Sequence, residues 1–203
     1  MQELLDDITT SRLILRLLGT EVSNACLNSK LLTARDLLHA AIPEEFLDNL
    51  SSLQHDRRQL EEDPGYEPWA SRAIILKNEM TMIGLIRFHG SPATHADKPY
   101  MKGAVELGYR IFSNYRRMGY AREAISGMIN WAREGFCVPR FIASISPENL
   151  PSLALARSLG FIKIDEVMDE IDGMEHVYML ERIILKTSSI SSSACELNKI
   201  KDQ

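Results

Sequence analysis

The sequence is poor in the residues and runs that mark several classes of protein. Only three of its 203 residues are cysteines (Cys26, Cys137 and Cys195), and none lies in a Cys-x-x-Cys pair. Their odd number and wide spacing argue against a disulfide framework or a zinc site, so we expect reduced thiols in a cytoplasmic protein. No window approaches the apolar length of a membrane span. The acidic N-terminus lacks the apolar core of a signal peptide.

An excess of basic charge is also missing. The formal net charge is -5 and the sequence pI is about 5.6. Because phosphate-backbone binding usually requires a basic face, we do not expect nucleic acid to be a partner. Hydrophobic residues make up 45% and charged residues 25% of the chain, which is typical of a globular protein of this length.

Hydrophobic periodicity divides the chain into alternating strands and helices. The predicted strands cover 11–17, 73–77, 81–88, 105–111, 140–145, 161–168 and 174–184. Two or three helices are predicted between 22 and 62, one from 121 to Gly135, and one over 151–159. This order predicts an α+β fold, a mixed sheet with helices on both faces, in one domain over 1–186 followed by a flexible tail over 187–203.

A basic turn joins the predicted strand 105–111 to the predicted helix that follows it. The turn reads Arg116-Arg117-Met118-Gly119-Tyr120-Ala121. A helix N-terminus has unpaired backbone N–H groups and a dipole that favours negative charge, and glycine allows the main chain to approach a ligand closely. The turn is therefore predicted to hold the diphosphate of a nucleotide-containing cofactor. A simple helix entry with two surface arginines is the plainer alternative.

Three segments of the chain resemble one family when they are taken together. Arg116 to Ala121 matches the R/Q-x-x-G-x-G/A signature of the GCN5-related N-acetyltransferase (GNAT) superfamily. Asn149-Leu150-Pro151-Ser152, followed by Ser158-Leu159-Gly160-Phe161, is similar to that family's later N-x-x-S helix ending in L-G-F. The opening Thr10-Ser11-Arg12-Leu13-Ile14-Leu15-Arg16 resembles the ribosomal-protein alanine N-acetyltransferase (RimJ/RimL-like) branch.

The resemblance implies an acetyl-CoA site and a mostly antiparallel mixed sheet that splays between two central parallel strands. The backbone from Arg117 to Ala121 would cradle the pyrophosphate, and Arg110, Ile111 and Phe112, at the end of the strand 105–111, would pair with pantetheine in the splay. Asn149 and Ser152 match positions near the pantetheine amides, although both residue types also favour a helix N-terminus. The implied cofactor residues are Arg110, Ile111, Phe112, Arg116, Arg117, Met118, Gly119, Tyr120, Ala121, Asn149 and Ser152.

Acyl transfer to an amine requires a base, because a primary amine is mostly protonated at neutral pH. Glu106 is the predicted base, since it lies on the strand that splays to admit the cofactor. Alternation places it on the strand face opposite Val105 and Leu107. A structural ion pair with a nearby arginine is the alternative.

Two histidines, His89 and His95, are further candidates for the base or for contacts with the acceptor. Ordinary loop histidines are the alternative for both.

The tyrosine that many members of this family use to reprotonate the thiolate is absent. Its position, four residues before the glycine of the Gly-Phe pair, is occupied by Ala156. Tyr178, Tyr120 or water could serve instead.

The predicted function is N-acetyl transfer from acetyl-CoA to a primary amine within a ternary complex, without a metal. The acceptor is a protein N-terminus or a small molecule, and the protein is a monomer or homodimer. A non-catalytic acyl-CoA sensor of the same fold is the alternative. Another nucleotide cofactor is disfavoured because no G-x-G-x-x-G follows a strand.

Overall fold

A computed structural model describes residues 5–48, 50–92, 98–169 and 173–181, and in these an eight-stranded sheet is flanked by helices. The strands are β1 (Ile8–Thr9), β2 (Leu13–Leu17), β3 (Arg72–Leu76), β4 (Thr81–Phe88), β5 (Ala104–Ile111), β6 (Arg140–Ile145), β7 (Ile162–Asp169) and β8 (Gly173–Glu181). The α-helices are α1 (Thr20–Leu27), α2 (Leu31–Leu38), α3 (Ser51–Glu62), α4 (Tyr120–Phe136) and α5 (Leu150–Ser158). Short 3₁₀ turns lie at Glu44–Phe46, Pro64–Trp69, Pro99–Met101 and Ser113–Tyr115.

The sheet has the order β1-β2-β3-β4-β5-β6-β8-β7, and all neighbouring pairs are antiparallel except β5 and β6. The parallel β5–β6 pair requires a crossover, which α4 provides. This arrangement confirms the predicted mixed, mostly antiparallel sheet.

Helices cover both faces of the sheet, because its central strands are apolar on both sides. All five residues of β3 are buried. Ile74 belongs to the core cluster that contains the apolar face of α4, whereas Ala73 and Ile75 belong to a second cluster with α1 and α2. Successive side chains of a strand point to opposite faces, so each core lies on its own side of the sheet. The predicted three-layer arrangement is confirmed.

The two central parallel strands separate after a short paired stretch. β5 pairs with β6 only from Ala104 to Glu106, which face Arg140 to Ile142. Beyond that point β5 continues against β4 alone, and β6 continues against β8 alone. A gap therefore opens between the second halves of β5 and β6, as the resemblance implied.

Some predicted boundaries need correction. Helix α4 continues past Gly135 to Phe136, and Cys137 takes the left-handed conformation with φ of 55° that ends it. The segment after α3, Pro64–Trp69, forms a 3₁₀ turn that hydrophobic periodicity does not predict. His95, residues 182–184 of the last predicted strand, and the tail over 187–203 lie outside the described residues.

The expectation of reduced thiols is correct for one cysteine and wrong for another. Cys26 is a free, buried thiol, and burial raises its pKa to about 11. Cys137 is disulfide-bonded.

Candidate active site

The turn between β5 and α4 has the backbone geometry of an anion site. Arg117 and Gly119 both have positive φ, 62° and 80°. Gly119 is the N-cap of α4, and no side chain caps that end of the helix. The first-turn N–H groups of Tyr120, Ala121 and Arg122 are therefore available to a ligand, and the helix dipole favours a ligand of negative charge.

A cleft of about 600 Å³ opens in front of this helix end, and we call it the outer cleft. It is lined by Tyr109, Arg110, Ile111, Tyr115, Arg116, Arg117, Gly119, Tyr120, Ala121, Arg122, Asn149, Pro151, Ser152 and Leu155. Arg116 Nε donates to the Ile111 carbonyl at 3.0 Å, and Arg122 donates to Ser158 Oγ at 2.5 Å. Both guanidinium groups are thereby held in the wall of the cleft. Several positive charges and an uncapped helix end thus face one cavity.

The segment between β1 and β2 holds the β5–α4 turn through a set of hydrogen bonds to Glu123 and Met118. Glu123, in the first turn of α4, accepts hydrogen bonds from Thr10 Oγ1 at 2.7 Å, Arg12 N at 2.6 Å and Arg12 Nε at 2.6 Å. Arg12 also donates from Nη1 to the Met118 carbonyl at 3.0 Å, and its guanidinium lies 4.5 Å from the centre of the Tyr120 ring. We call Thr10, Arg12 and Glu123 the loop clamp.

The loop clamp alters the titration of its carboxylate. Partial burial acts to raise the pKa of Glu123, but the hydrogen bonds from Arg12 and Thr10 outweigh it, and the pKa lies below its usual range. The ion pair therefore persists at neutral pH.

A second carboxylate ties the outer cleft to the segment that follows α2. Glu45 accepts from Ser113 N at 3.0 Å and Ser113 Oγ at 2.8 Å, and it lies 3.5 Å from Arg110 Nη2. The hydrogen bonds from Ser113 are the main reason why the pKa of Glu45 is lowered. The end of β5 is therefore held by Glu45 as well as by the Arg116 hydrogen bond to Ile111.

A further cleft of about 340 Å³ occupies the gap between β5 and β6, and we call it the inner cleft. Its lining includes His89, Leu107, Gly108, Tyr109, Ile125, Ala143, Ser144, Ile145, Ser146, Asn149, Ser152, Leu155, Ala156, Leu159, Phe161 and Glu175. Tyr109, Asn149, Ser152 and Leu155 line both clefts. A long, thin ligand can therefore run from the helix end into the gap between the strands.

The ring of His89 lies against the backbone of β5 inside the inner cleft. A Cβ atom on Gly108 would lie 2.4 Å from His89 Nε2, so only glycine leaves room for the ring. The His89 amide donates to the Glu106 carbonyl at 2.8 Å, and its own carbonyl lies 3.1 Å from His55 Nε2. These contacts fix His89, which lines the inner cleft together with Ser144 and Glu175.

Glu106 lies at the point where the strands begin to separate. Its side chain is half-buried, and Oε1 accepts from Ser144 Oγ of β6 at 2.5 Å. The ion pairs of the described residues do not include Glu106, so its partner is a hydroxyl and not an arginine. Ser144 lines the inner cleft, whereas Glu106 is not among its lining residues.

The start of α5 combines capping with a contact across the cleft. Asn149 Oδ1 accepts from Ser152 N at 3.2 Å and is the N-cap of the helix. Ser152 Oγ lies 3.0 Å from the Tyr109 hydroxyl. Burial raises the pKa of Tyr109. The phenol therefore keeps its proton at neutral pH.

Most of the predicted cofactor residues lie together. Nine of them line the outer cleft: Arg110, Ile111, Arg116, Arg117, Gly119, Tyr120, Ala121, Asn149 and Ser152. Met118 is exposed outside it, and its carbonyl accepts from Arg12. Phe112 departs from the prediction. Its side chain is buried, its N–H donates to the Ile83 carbonyl, and its carbonyl accepts from Tyr115 N, so strand β4 and the following turn already use its backbone groups.

Sequence patterns missed four residues of the site. Tyr109 falls on the apolar side of β5 by alternation, where it looks like a core residue. Arg122 and Ser144 belong to a predicted helix and a predicted strand with no motif of their own. Glu123 makes its contacts with residues more than 110 positions earlier. The Thr-x-Arg pattern of the opening segment was the only signal for the loop clamp.

The described residues include no helix that is both long and apolar enough to cross a membrane. They also include no group of three or more His, Cys, Asp or Glu side chains placed to hold a metal ion.

A family model and a related protein match large parts of this chain. Residues 12–162 match the model of the acetyltransferase (GNAT) domain. The chain is 30% identical over 115 residues to the uncharacterized N-acetyltransferase YjdG of Bacillus subtilis (strain 168), an alignment that covers 57% of this chain. It covers 64% of YjdG, so the chain spans less than two thirds of that relative's length.

Solved structures share the fold. The ribosomal-protein-S5-alanine acetyltransferase of Vibrio fischeri has a TM-score of 0.60 and 18% identity, with 90% of this chain and 100% of that chain covered. The ribosomal L7/L12 alpha-N-protein acetyltransferase RimL, solved in complex with coenzyme A, has a TM-score of 0.59 and 16% identity, with 87% and 98% covered. The family model matches most of the chain, and the strand, basic turn and helix signature lies within the matched segment. The chain therefore belongs to the GNAT acetyltransferase family.

Proposed function

We propose that this protein transfers an acetyl group from acetyl-CoA to a primary amine, directly and within a ternary complex. The observation that carries the proposal is the continuity of the two clefts, which join an uncapped helix end to the gap between β5 and β6. Such a path matches a ligand that has a diphosphate at one end of a thin arm and a thioester at the other. Family membership supports acetyl-CoA as that ligand.

The outer cleft is the proposed diphosphate site. The first-turn N–H groups of α4 would donate to the phosphate oxygens, and Arg116 and Arg117 would supply charge-assisted contacts. The loop clamp holds the backbone in the required shape before the ligand arrives. Less conformational entropy is then lost on binding.

The gap between the strands is the proposed site of the pantetheine arm. Beyond Glu106, none of the described strands pairs with β5 on its β6 side, so its main-chain polar groups there can pair with the amides of the arm. Asn149 and Ser152 lie beside this path in both clefts. Asn149 therefore combines a capping role with a place in the site.

The amine would meet the thioester in the inner cleft. Glu106 remains the proposed base and would act through Ser144 and water, because its carboxylate is hydrogen-bonded to that hydroxyl and does not itself line the inner cleft. His89 is a second proposed base, since its ring lies in the lining itself. A protein N-terminus is the favoured acceptor. This preference is supported by the resemblance of the opening segment and by the shared fold of the ribosomal-protein acetyltransferases.

A panel of amines tests the proposed function. Purified protein is mixed with acetyl-CoA and, in turn, with peptides of different N-terminal residues, free amino acids, polyamines and aminoglycosides, and thiol release is followed. We expect release with at least one peptide N-terminus. Matched peptides with a blocked N-terminus are the control, and equal release from blocked and free peptides would contradict the choice of acceptor.

A non-catalytic acyl-CoA sensor is the second candidate. It is favoured by Ala156, which stands where many family members have a catalytic tyrosine. The same panel separates the two candidates, because a sensor binds acetyl-CoA in calorimetry but releases no thiol with any amine.

A further inference from the structure

The inner cleft has two sides of different chemistry, one on each face of the sheet. The first lies toward α4 and is apolar. Leu107 of β5 and Ala143 and Ile145 of β6 line it, and they belong to the core cluster that contains the apolar face of α4. Ile125 of α4 lines the cleft with them, and all four residues are buried. We call this part of the lining the apolar side.

The opposite face of the sheet carries the polar part of the lining. Ser144 alternates with the apolar residues of β6, so its side chain points to the other face, where it donates to Glu106. The His89 ring lies on that face too, because it occupies the space that a Cβ on Gly108, the neighbour of Leu107, would fill. Both proposed bases therefore lie on the face opposite the apolar side.

Helix α5 extends the apolar side beyond the entrance of the pantetheine arm. Four residues, from its first turn to its C-cap, line the inner cleft at the spacing i, i+3, i+4 and i+7 of one helix face: Ser152, Leu155, Ala156 and Leu159. Ser152 and Leu155 also line the outer cleft, whereas Ala156 and Leu159 do not. The polar member of this face thus lies at the entrance, and Phe161 continues the apolar part past the helix.

Ala156 keeps the apolar side open, because its side chain ends at Cβ. The inner cleft measures about 340 Å³, which is within the range of about 300–1,000 Å³ found for small-molecule pockets. An acetyl group places a single methyl beyond its carbonyl carbon. The apolar side therefore has room for a longer hydrocarbon chain.

We propose that the apolar side of the inner cleft is an acyl-chain subsite, so that the protein also takes propionyl and butyryl groups from their coenzyme A thioesters. This inference rests on the proposed function. The carbonyl carbon faces the polar side, where the amine attacks, and the hydrocarbon chain lies against Leu107, Ile125 and Ala156.

The transfer step is the same for each acyl group. The amine nitrogen forms its bond to the thioester carbon, the carbon–sulfur bond breaks, and its electron pair goes to sulfur. The amine proton goes to the base, and the thiolate takes a proton from water on release. Chain length therefore changes the binding of the donor and leaves the chemistry unchanged.

The gain from each added methylene group can be estimated from its burial. Removing one methylene from water favours binding by a factor of about four. Propionyl-CoA should therefore bind about fourfold more tightly than acetyl-CoA, and butyryl-CoA about fifteenfold. Without a subsite, the longer chains would stay in water or meet the wall of the cleft, and this gain would be absent.

Calorimetric titration tests the subsite without an acceptor. Coenzyme A, acetyl-CoA, propionyl-CoA and butyryl-CoA are titrated into the wild type and into Ala156→Leu. We expect the stepwise gain in the wild type. In Ala156→Leu the added carbons fill the apolar side, so the gain should disappear, while the outer cleft, which position 156 does not line, still binds coenzyme A.

Ala154→Leu is the matched control, because it makes the same change on the same helix at an exposed position outside both clefts. It should show the gain of the wild type. Ile125→Val gives an independent measurement if Ala156→Leu folds poorly. It removes one carbon from the wall of the apolar side, a change that cores tolerate at modest cost, and it should increase the preference for butyryl-CoA over acetyl-CoA.

Two results would overturn the inference. One is a wild type that binds coenzyme A but binds butyryl-CoA no more tightly than acetyl-CoA. The other is a folded Ala156→Leu protein that keeps the wild-type gain. A wild type that binds no coenzyme A would overturn the proposed function and the inference together. Absence of thiol release from acetyl-CoA with every amine would overturn the proposed transfer alone, because the titrations still decide whether the subsite exists.

Discussion

The loop clamp gives the sharpest prediction about how the segment between β1 and β2 supports the cofactor site. In Glu123→Gln, the amide oxygen can still accept from Thr10 Oγ1 and Arg12 N, which both contact Oε1. The amide nitrogen, however, would face Arg12 Nε in place of Oε2, so that charged hydrogen bond is lost.

The size of the effect follows from the exposure of the two partners. A hydrogen bond to a charged group contributes about 1.5–3 kcal/mol when it is buried, and an exposed ion pair about 0.2–1 kcal/mol. The side chain of Glu123 is 16% exposed and that of Arg12 is 45% exposed. We therefore expect a loss of about 1 kcal/mol, which lowers the melting temperature of a chain of this size by about 2–4 °C.

The same change should weaken cofactor binding. If coenzyme A must order the turn when it binds, about 1 kcal/mol of its binding free energy is used for that step. The affinity for coenzyme A then falls about fivefold. Differential scanning calorimetry and isothermal titration measure the two effects. Glu134→Gln is the matched control, because Glu134 is an exposed carboxylate on the same helix and lies outside both clefts.

The pH dependence adds an independent check. The folded-state pKa of Glu123 lies below the value of about 4.3 expected in the unfolded chain, so its carboxylate stabilises the fold above that value. The contribution is lost as the pH falls through the folded-state pKa. The difference in stability between wild type and Glu123→Gln should be full at pH 7 and should shrink below about pH 4. An equal melting temperature and equal affinity at pH 7 would refute the clamp.

Three further changes probe other parts of the site. Glu106→Gln should lower turnover, least at low pH, where a carboxylate base is protonated in the wild type too, with little change in coenzyme A affinity, and a wild-type pH–rate profile would exclude Glu106 as the base. Asn149→Ala should cost about 1 kcal/mol through the lost N-cap, seen as a lower melting temperature, and a drop in coenzyme A affinity would show that capping is not its only role. Gly108→Ala should displace the His89 ring, because the added Cβ would lie 2.4 Å from Nε2, so an unchanged histidine NMR signal would contradict that packing.

The sequence predicts the order of strands and helices well because the core is strongly periodic. The apolar positions of α4, from Ala124 to Ala132, recur at three- and four-residue spacing and are all buried. Strand β6 has the predicted bounds, 140–145. Glycine is a weaker guide to helix ends, since α4 accommodates Gly135 within its last turn and ends at Phe136, with Cys137 as its C-cap.

The site is predictable only where backbone chemistry leaves a local pattern. The Arg116 to Ala121 turn has such a pattern, because a close backbone approach at a helix end requires glycine at a fixed position. Tyr109 has none. By strand alternation Tyr109 has the position of a core residue. Its side chain lines a cleft because β5 and β6 separate beyond Glu106, and the sequence does not indicate that separation. The loop clamp likewise depends on contacts between distant parts of the chain.

The most direct test compares coenzyme A with pantetheine, which has the same arm but no diphosphate. Both are titrated calorimetrically into the wild type and into Gly119→Val, in which a branched side chain stands where φ is 80° and the ligand must approach the backbone. We expect the wild type to bind coenzyme A at least about tenfold more tightly than pantetheine, because the loss of one charged contact alone changes affinity by about that factor. This preference for coenzyme A should disappear in Gly119→Val. Equal affinity of the wild type for the two ligands would contradict a diphosphate site at the end of α4.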